Sequence, residues 1–217
     1  LVNPALLGLA KPGCAIYNSA EMTLEQVLDT IRATEQAGGT TVRLHTGDPC
    51  FMGHPGADGC AGRDGIPYDD TPGVSSFCGA AAALNAEYTL PSVSQTVIIT
   101  RMEGRTPRAG KRKAAKPRRT RRDHGDFPFN RFGQSGAAGA FAGCLYGFHS
   151  LAVVYKATWP EERIVRCTVG NLAESVHKAG ITKTTLIVVG DFLGTRYDRS
   201  KLYDPTFTTE YRKGSKA

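Results

Sequence analysis

The stretch Val42-Arg43-Leu44-His45-Thr46-Gly47-Asp48-Pro49 reads as a buried strand running into a tight loop. Thr40, Thr41 and Val42 favour extended backbone, Leu44 adds an apolar residue, and Gly47-Asp48-Pro49 ends the run with turn chemistry. In an α/β protein such a strand end opens on the crevice where ligands bind. Loop backbone groups face the ligand there, and a glycine omits the Cβ that would block approach. Asp48 adds an acceptor, and Pro49 stiffens the exit. The same pattern also serves as a purely structural turn, so the flanking elements must decide between the two.

Upstream, Ala15-Ile16-Tyr17 suggests an edge strand after Pro12-Gly13. Met22, Leu24, Val27, Leu28 and Ile31 then recur at helical spacing, with Thr23 or Ser19 as cap and Gly38-Gly39 as the stop. A strand over 40–44 after that helix makes a β-α-β rhythm, which predicts a parallel or mixed sheet with helices on its faces.

Downstream, residues 54–63 are rich in Gly, Pro and Ala and lack the apolar period of a crossover helix. Thr71-Pro72-Gly73-Val74-Ser75-Ser76 makes a second strand-end loop before a helix-like run over 77–85, where Ser75 and Ser76 serve either as caps or as ligand contacts. Leu90-Pro91 marks a break, which divides the chain into an expected domain over 1–92 and another over 93–217. The second half opens with a strand at 96–100, followed by Arg101, Glu103 and Arg105. Residues 127–149 are an erratic mixture of Gly, Ala and Phe. Order resumes with a buried strand at 151–155, a strand at 164–168, an amphipathic helix at 169–179 and a strand at 185–189 ending at Gly190.

The chain has 217 residues, enough for one large domain or two small ones with an ample core. No apolar run approaches the ~18 residues needed to span a bilayer. The start at Leu1, without a signal-like leader, suggests a cytoplasmic protein shortened at its front. Cys14, Cys50, Cys60, Cys78, Cys144 and Cys167 form no CxxC pair, which argues against a disulfide framework or a zinc site.

The net charge of +7 is localised: ten of the eighteen residues from Arg105 to Arg122 are Lys or Arg and none is acidic. Without that segment the chain is slightly acidic, so the charge belongs to one arm and not to a folded face. The arm could hold phosphate backbones through counterion release. It lacks basic-aromatic interleaving, a recognition-helix pattern and zinc spacing, and nucleic-acid binding is the weaker reading. Gly104 to Lys111 is no phosphate loop, because its glycines are wrongly spaced and Arg112 stands where a Ser or Thr belongs.

Taken together, Val42 to Pro49, Pro72 to Ser76, Leu90 to Pro107 with its Ser-Gln-Thr-Val-Ile-Ile-Thr-Arg-Met-Glu-Gly-Arg-Thr-Pro run, Val153 to Glu162, and Arg199 to Gly214 resemble the precorrin-4 C11-methyltransferases of the tetrapyrrole methylase family. The Arg-Ser-Lys-Leu-Tyr-Asp tail is most similar to the cobalt-dependent branch. The resemblance implies two α/β domains with a ligand cleft between them, a homodimer, and methyl transfer from S-adenosylmethionine to a cobalamin precursor. It places the donor on Gly47, Asp48, Pro49 and Met52, on Ser75 and Ser76, on Ala157 and Thr158, and on Gly190. The many carboxylates of the acceptor macrocycle make Arg101, Arg105 and Lys156 its expected clamps. No catalytic nucleophile and no protein-bound metal are implied, and any cobalt would travel within the substrate. The alternatives are another methylase of the same family, a non-catalytic family member, or a chain whose basic arm binds nucleic acid.

Two departures from the family stand out. Its opening strand and glycine-rich loop do not appear, and residues 54–63 and about 108–150 lose its pattern while keeping roughly its spacing. Compensated reading-frame errors would produce that combination, and a divergent insertion is the rival explanation.

Overall fold

The computed structural model describes residues 2–51, 62, 64–99, 124–130 and 148–215, with 124–130 described as backbone. They fall into two compact units, 1–76 and 77–217. The boundary expected near 90–94 lies inside the second unit, because Leu84, Leu90 and Val93 belong to that unit's core.

Among its described residues the first unit has 3-10 turns at Pro4–Leu9 and Ser19–Glu21 and helix α1 at Leu24–Gln36. The helix starts where the sequence predicts. Thr23 and Gln26 exchange side-chain and backbone hydrogen bonds in a capping box, which satisfies two otherwise orphaned amide donors. Leu28 and Ile31, three residues apart on one face, are buried. The strands expected at 15–17, 40–44 and 96–100 form no ladder among the described residues. Val42 is 76% exposed and Leu44 53%. Extended propensity makes a strand only when a neighbour supplies hydrogen bonds, and no described segment pairs with these.

The second unit is built on a four-stranded sheet of β1 (His124–Asn130), β2 (Ser150–Tyr155), β3 (Arg163–Thr168) and β4 (Lys183–Val189), in the order β1-β4-β2-β3. Every described pairing is antiparallel, where a parallel or mixed sheet was expected. The physical reason is connection length. The short turn between β2 and β3 can join only antiparallel neighbours. β3 and β4 run parallel to each other with β2 between them, and helix α3 (Leu172–Lys178) makes the crossover. A β-α-β connection is therefore present in this unit, split by an intervening strand, while the rhythm expected over 15–44 shows its helix but no ladder among the described residues.

β1 lies within the 108–150 stretch where the sequence shows no sustained pattern. Its pairing with β4 is interrupted by two register shifts, and Pro128 sits on this edge strand, where a missing amide donor is tolerated. Residues 108–123 and 131–147 of that stretch, and 54–63 apart from Gly62, lie outside the described residues.

Alternation along β2 and β4 feeds two cores. Leu151, Val153, Ile187 and Val189 pack with Leu172 and Val176 of α3 on one face. Ala152, Val154, Leu186 and Val188 pack on the other with Ala80 and Leu84 of helix α2 (Ser76–Leu84), with Leu90 and with Phe192. Because both faces are covered, these strands read as continuous apolar runs rather than as alternating ones. Each fully buried Val, Leu or Ile contributes roughly 1.5–3 kcal/mol. The second unit's order rests on this sandwich. Cys167, half-buried at its edge, has its thiol pushed up by burial.

Candidate functional site

The loop after Leu44 is shaped by one carboxylate. Asp48 Oδ1 accepts the Cys50 N–H at 2.8 Å, and Oδ2 accepts the Gly73 N–H at 3.2 Å from the second strand-end loop. The Asp48 N–H in turn donates to Ser75 Oγ at 3.3 Å, and the Phe51 N–H donates to the Asp48 carbonyl at 3.0 Å. The two amide donors, Cys50 first and then Gly73, hold the Asp48 carboxyl below its ordinary range. Its charge pushes the neighbouring Cys50 thiol up.

Two glycines let the loops meet backbone to backbone. Gly47 has φ +89°, and a Cβ there would stand 2.9 Å from Ser75 Cα. A Cβ on Gly73 would stand 2.6 Å from the Gly47 carbonyl oxygen. Real Cβ atoms do not approach so closely, so both positions require glycine. Gly47, Asp48 and Ser75 are thus brought together, with Pro49 following in the same turn and Ser76 opening α2. The Ser75 side chain is 8% exposed and is bound to the neighbouring loop, a role that neither the cap nor the ligand reading anticipates.

In the second unit the chain turns sharply after β2. Lys156 (φ +47°) and Thr158 (φ +70°) both take left-handed backbone, which is strained for a β-branched residue such as Thr158. Three hydrogen bonds hold the turn. The Lys156 N–H donates to Thr184 O at 3.0 Å, the Trp159 N–H to Lys156 O at 3.0 Å, and the Thr158 N–H to Glu162 Oε2 at 2.6 Å. This presents the methyl groups of Ala157 and Thr158 to Gly79 of α2, where a Cβ would come within 3.5 Å and 3.3 Å of them. The Lys156 ammonium lies 3.5 Å from Glu161 Oε2 and 4.7 Å from the Trp159 ring centroid.

Gly190 closes β4 with φ 154° and ψ 164°, a region open essentially to glycine, and its N–H donates to Ser150 O at 3.3 Å. Beside it lies a cavity of about 330 Å³ lined by Ser150, Asp191, Gly194, Thr195 and Arg196. A larger depression of about 560 Å³ runs along α1 between Tyr17, Thr34 and Gly39, and holds none of the expected site residues.

Met52, Arg101 and Arg105 lie outside the described residues, as does the basic arm. Gly73, Gly79 and Glu162, which these contacts single out, were not among the expected site residues. Thr71-Pro72-Gly73 did signal a turn, but nothing local says that its glycine meets Gly47. Among the described residues no group of three or more His, Cys, Asp or Glu side chains could hold a metal ion, and no helix is long and apolar enough to cross a membrane.

A family model described as Tetrapyrrole (Corrin/Porphyrin) Methylases matches residues 2–173. A cobalt-precorrin-4 C(11)-methyltransferase of Methanocaldococcus jannaschii is 44% identical over 223 residues, which span 100% of this chain and 84% of that protein. A protein of the same name from Priestia megaterium is 36% identical over 222 residues, covering 100% of this chain and 86% of its own length. Among solved structures, the X-ray structure of a cobalamin biosynthetic enzyme, cobalt precorrin-4 methyltransferase, matches with a TM-score of 0.76 at 35% identity, over 90% of this chain and 82% of that one. A uroporphyrin-III C-methyltransferase of Thermus thermophilus complexed with S-adenosyl homocysteine shares the fold at 21% identity and a TM-score of 0.65, over 87% of this chain and 81% of that one.

Proposed function

The chain belongs to the tetrapyrrole methylase family, and from that premise we propose that it transfers a methyl group from S-adenosylmethionine to C-11 of precorrin-4 or its cobalt form, in the building of the corrin ring. The observation that carries this reading is the 44% identity to a cobalt-precorrin-4 C(11)-methyltransferase across the whole of this chain. The cobalt-bearing substrate is preferred because the M. jannaschii and P. megaterium relatives bear that name.

The residues fit such a donor. The Gly47 and Gly73 backbones offer a surface without Cβ atoms, and Ala157, Thr158 and Gly79 form a wall of small groups. Bound S-adenosylmethionine supplies a sulfonium methyl whose leaving group is a neutral thioether, so no protein nucleophile is needed. The chain's own task is positioning and charge neutralisation. Gly47, Asp48, Pro49, Met52, Ser75, Ser76, Ala157, Thr158 and Gly190 are assigned to the donor site, by contact or by positioning its loops. Arg101, Arg105 and Lys156 are assigned to the acceptor's carboxylates, for which Lys156 exchanges its contact with Glu161. The working form is assigned as a cytoplasmic homodimer, and the only metal in the reaction is cobalt carried by the substrate.

The test is transfer of an isotopically labelled methyl group from the donor, with cobalt-precorrin-4, precorrin-4 and uroporphyrinogen III offered as acceptors and the product carbon located by NMR. Labelling of C-11 on either precorrin is expected. Methylation of uroporphyrinogen III instead would assign the chain to another branch of the family, and labelling of none would overturn the reading.

A further inference from the structure

Resting on the methyltransferase reading, we infer that Asp48 is a positioning residue that joins the 46–51 and 72–75 loops into one rigid edge of the donor site, and that it does so through backbone rather than by touching the donor. Each carboxylate oxygen already accepts an amide, Oδ1 that of Cys50 within its own loop and Oδ2 that of Gly73 across the joint. The joint is closed a second time by the bond from the Asp48 N–H to Ser75 Oγ. It is closed a third time by contact, since the Gly73 Cα carries no substituent that would strike the Gly47 carbonyl and Gly47 none that would strike Ser75.

These features share a purpose that a donor-contacting carboxylate would not need. Carboxylate oxygens are acceptors only, so one side chain can satisfy two converging N–H groups. Asparagine cannot do so, because its amide NH₂ would face one of those donors with another donor. The two loops supply Gly47, Asp48, Pro49 and Ser75, so an error of an ångström at the joint misplaces much of the donor's support.

Asp48→Asn and Gly73→Ala attack the same joint by different chemistry, one by charge and one by volume. In the full-length protein, each is expected to raise the dissociation constant for S-adenosylhomocysteine by roughly tenfold. The acceptor KM should stay near its unaltered value, as should the melting temperature of Asp48→Asn, while Gly73→Ala, whose Cβ must displace the Gly47 carbonyl, should melt lower; the double variant should bind the donor little worse than either single one. In the ligand-free protein, hydrogen exchange at the Cys50 and Gly73 amides should quicken in Asp48→Asn. Direct donor contact would instead leave that exchange unchanged and make the two substitutions additive, and either result overturns the inference. Unaltered donor affinity in Asp48→Asn overturns it as well. If the unsubstituted protein fails to bind S-adenosylhomocysteine, the methyltransferase reading falls, while the exchange measurement still decides whether Asp48 holds the joint.

Discussion

Gly79 of α2 faces Thr158 in the turn after β2, so closely that a Cβ on the glycine would stand 3.3 Å from Thr158 Cγ2. Glycine inside a helix costs about 1 kcal/mol relative to alanine. Here that cost admits a turn which is itself strained at Lys156 and Thr158.

Gly79→Val should therefore lower stability by roughly 1–3 kcal/mol, because two methyl groups enter filled space. Gly79→Ala should be close to neutral, its better helix propensity offsetting the small retreat asked of Thr158. Denaturant midpoints for the two variants check this. A valine variant as stable as the parent would mean that the 156–158 turn yields freely.

Glu162 anchors the Thr158 amide at 2.6 Å. Glu162→Ala should cost on the order of 1 kcal/mol, the usual net value of one hydrogen bond, and should raise the KM for the methyl donor. Glu162→Gln keeps an acceptor oxygen and should recover most of both losses. Equal defects in the two variants would point to the charge of Glu162 and away from its hydrogen bond.

On the proposed acceptor assignment, Arg101→Ala should raise the KM for the tetrapyrrole while S-adenosylhomocysteine binding by calorimetry stays nearly unchanged, because the substitution would take away a carboxylate's partner. Parallel losses for both ligands would indicate a folding defect.

The tail carries a pH-dependent knot. Asp204 Oδ1 accepts the Thr206 hydroxyl at 2.7 Å and its amide at 2.9 Å, and Arg212 Nη2 donates to the carbonyls of Leu202 at 3.0 Å and Asp204 at 2.6 Å. The Thr206 hydroxyl and amide, then Arg212 and Lys201, hold the Asp204 carboxyl below its ordinary 3.8. A depressed carboxyl contributes stability that is present above its unfolded value and is lost as pH falls through the folded one. Amide exchange at Thr206 should thus be slow at neutral pH and quicken below about 3.8, beyond the intrinsic change. Asp204→Asn should remove that dependence.

At α1, Thr23→Ala breaks the capping box and should cost about 1 kcal/mol, read as a fall in the thermal midpoint followed by helical circular dichroism. Thr23→Ser should be nearly silent.

Much of the architecture was legible where its causes are local. α1 could be read from Thr23, from Leu28 and Ile31 on one face, and from the glycines after it. The apolar runs over 151–155 and 185–189 announced β2, read as buried, and β4; that both faces are covered came from the structure. β1 was not legible, because Pro128 and its mixed neighbours form a strand only against the ready edge of β4. At Val42 and Leu44 the converse holds: strand-like composition stands exposed and without a ladder among the described residues.

The candidate site divides along the same line. Residue order by itself determined the family resemblance, the turn chemistry at Gly47-Asp48-Pro49, the helix caps and the apolar strands, since each depends on residues within a few positions of one another. Only tertiary structure decided that the β2, β3 and β4 pairings are antiparallel, that Asp48 grips Gly73, and that Gly79 makes room for Thr158. Those are relations between distant backbones, set by which hydrogen-bonding groups and which missing Cβ atoms meet once the chain has closed on itself.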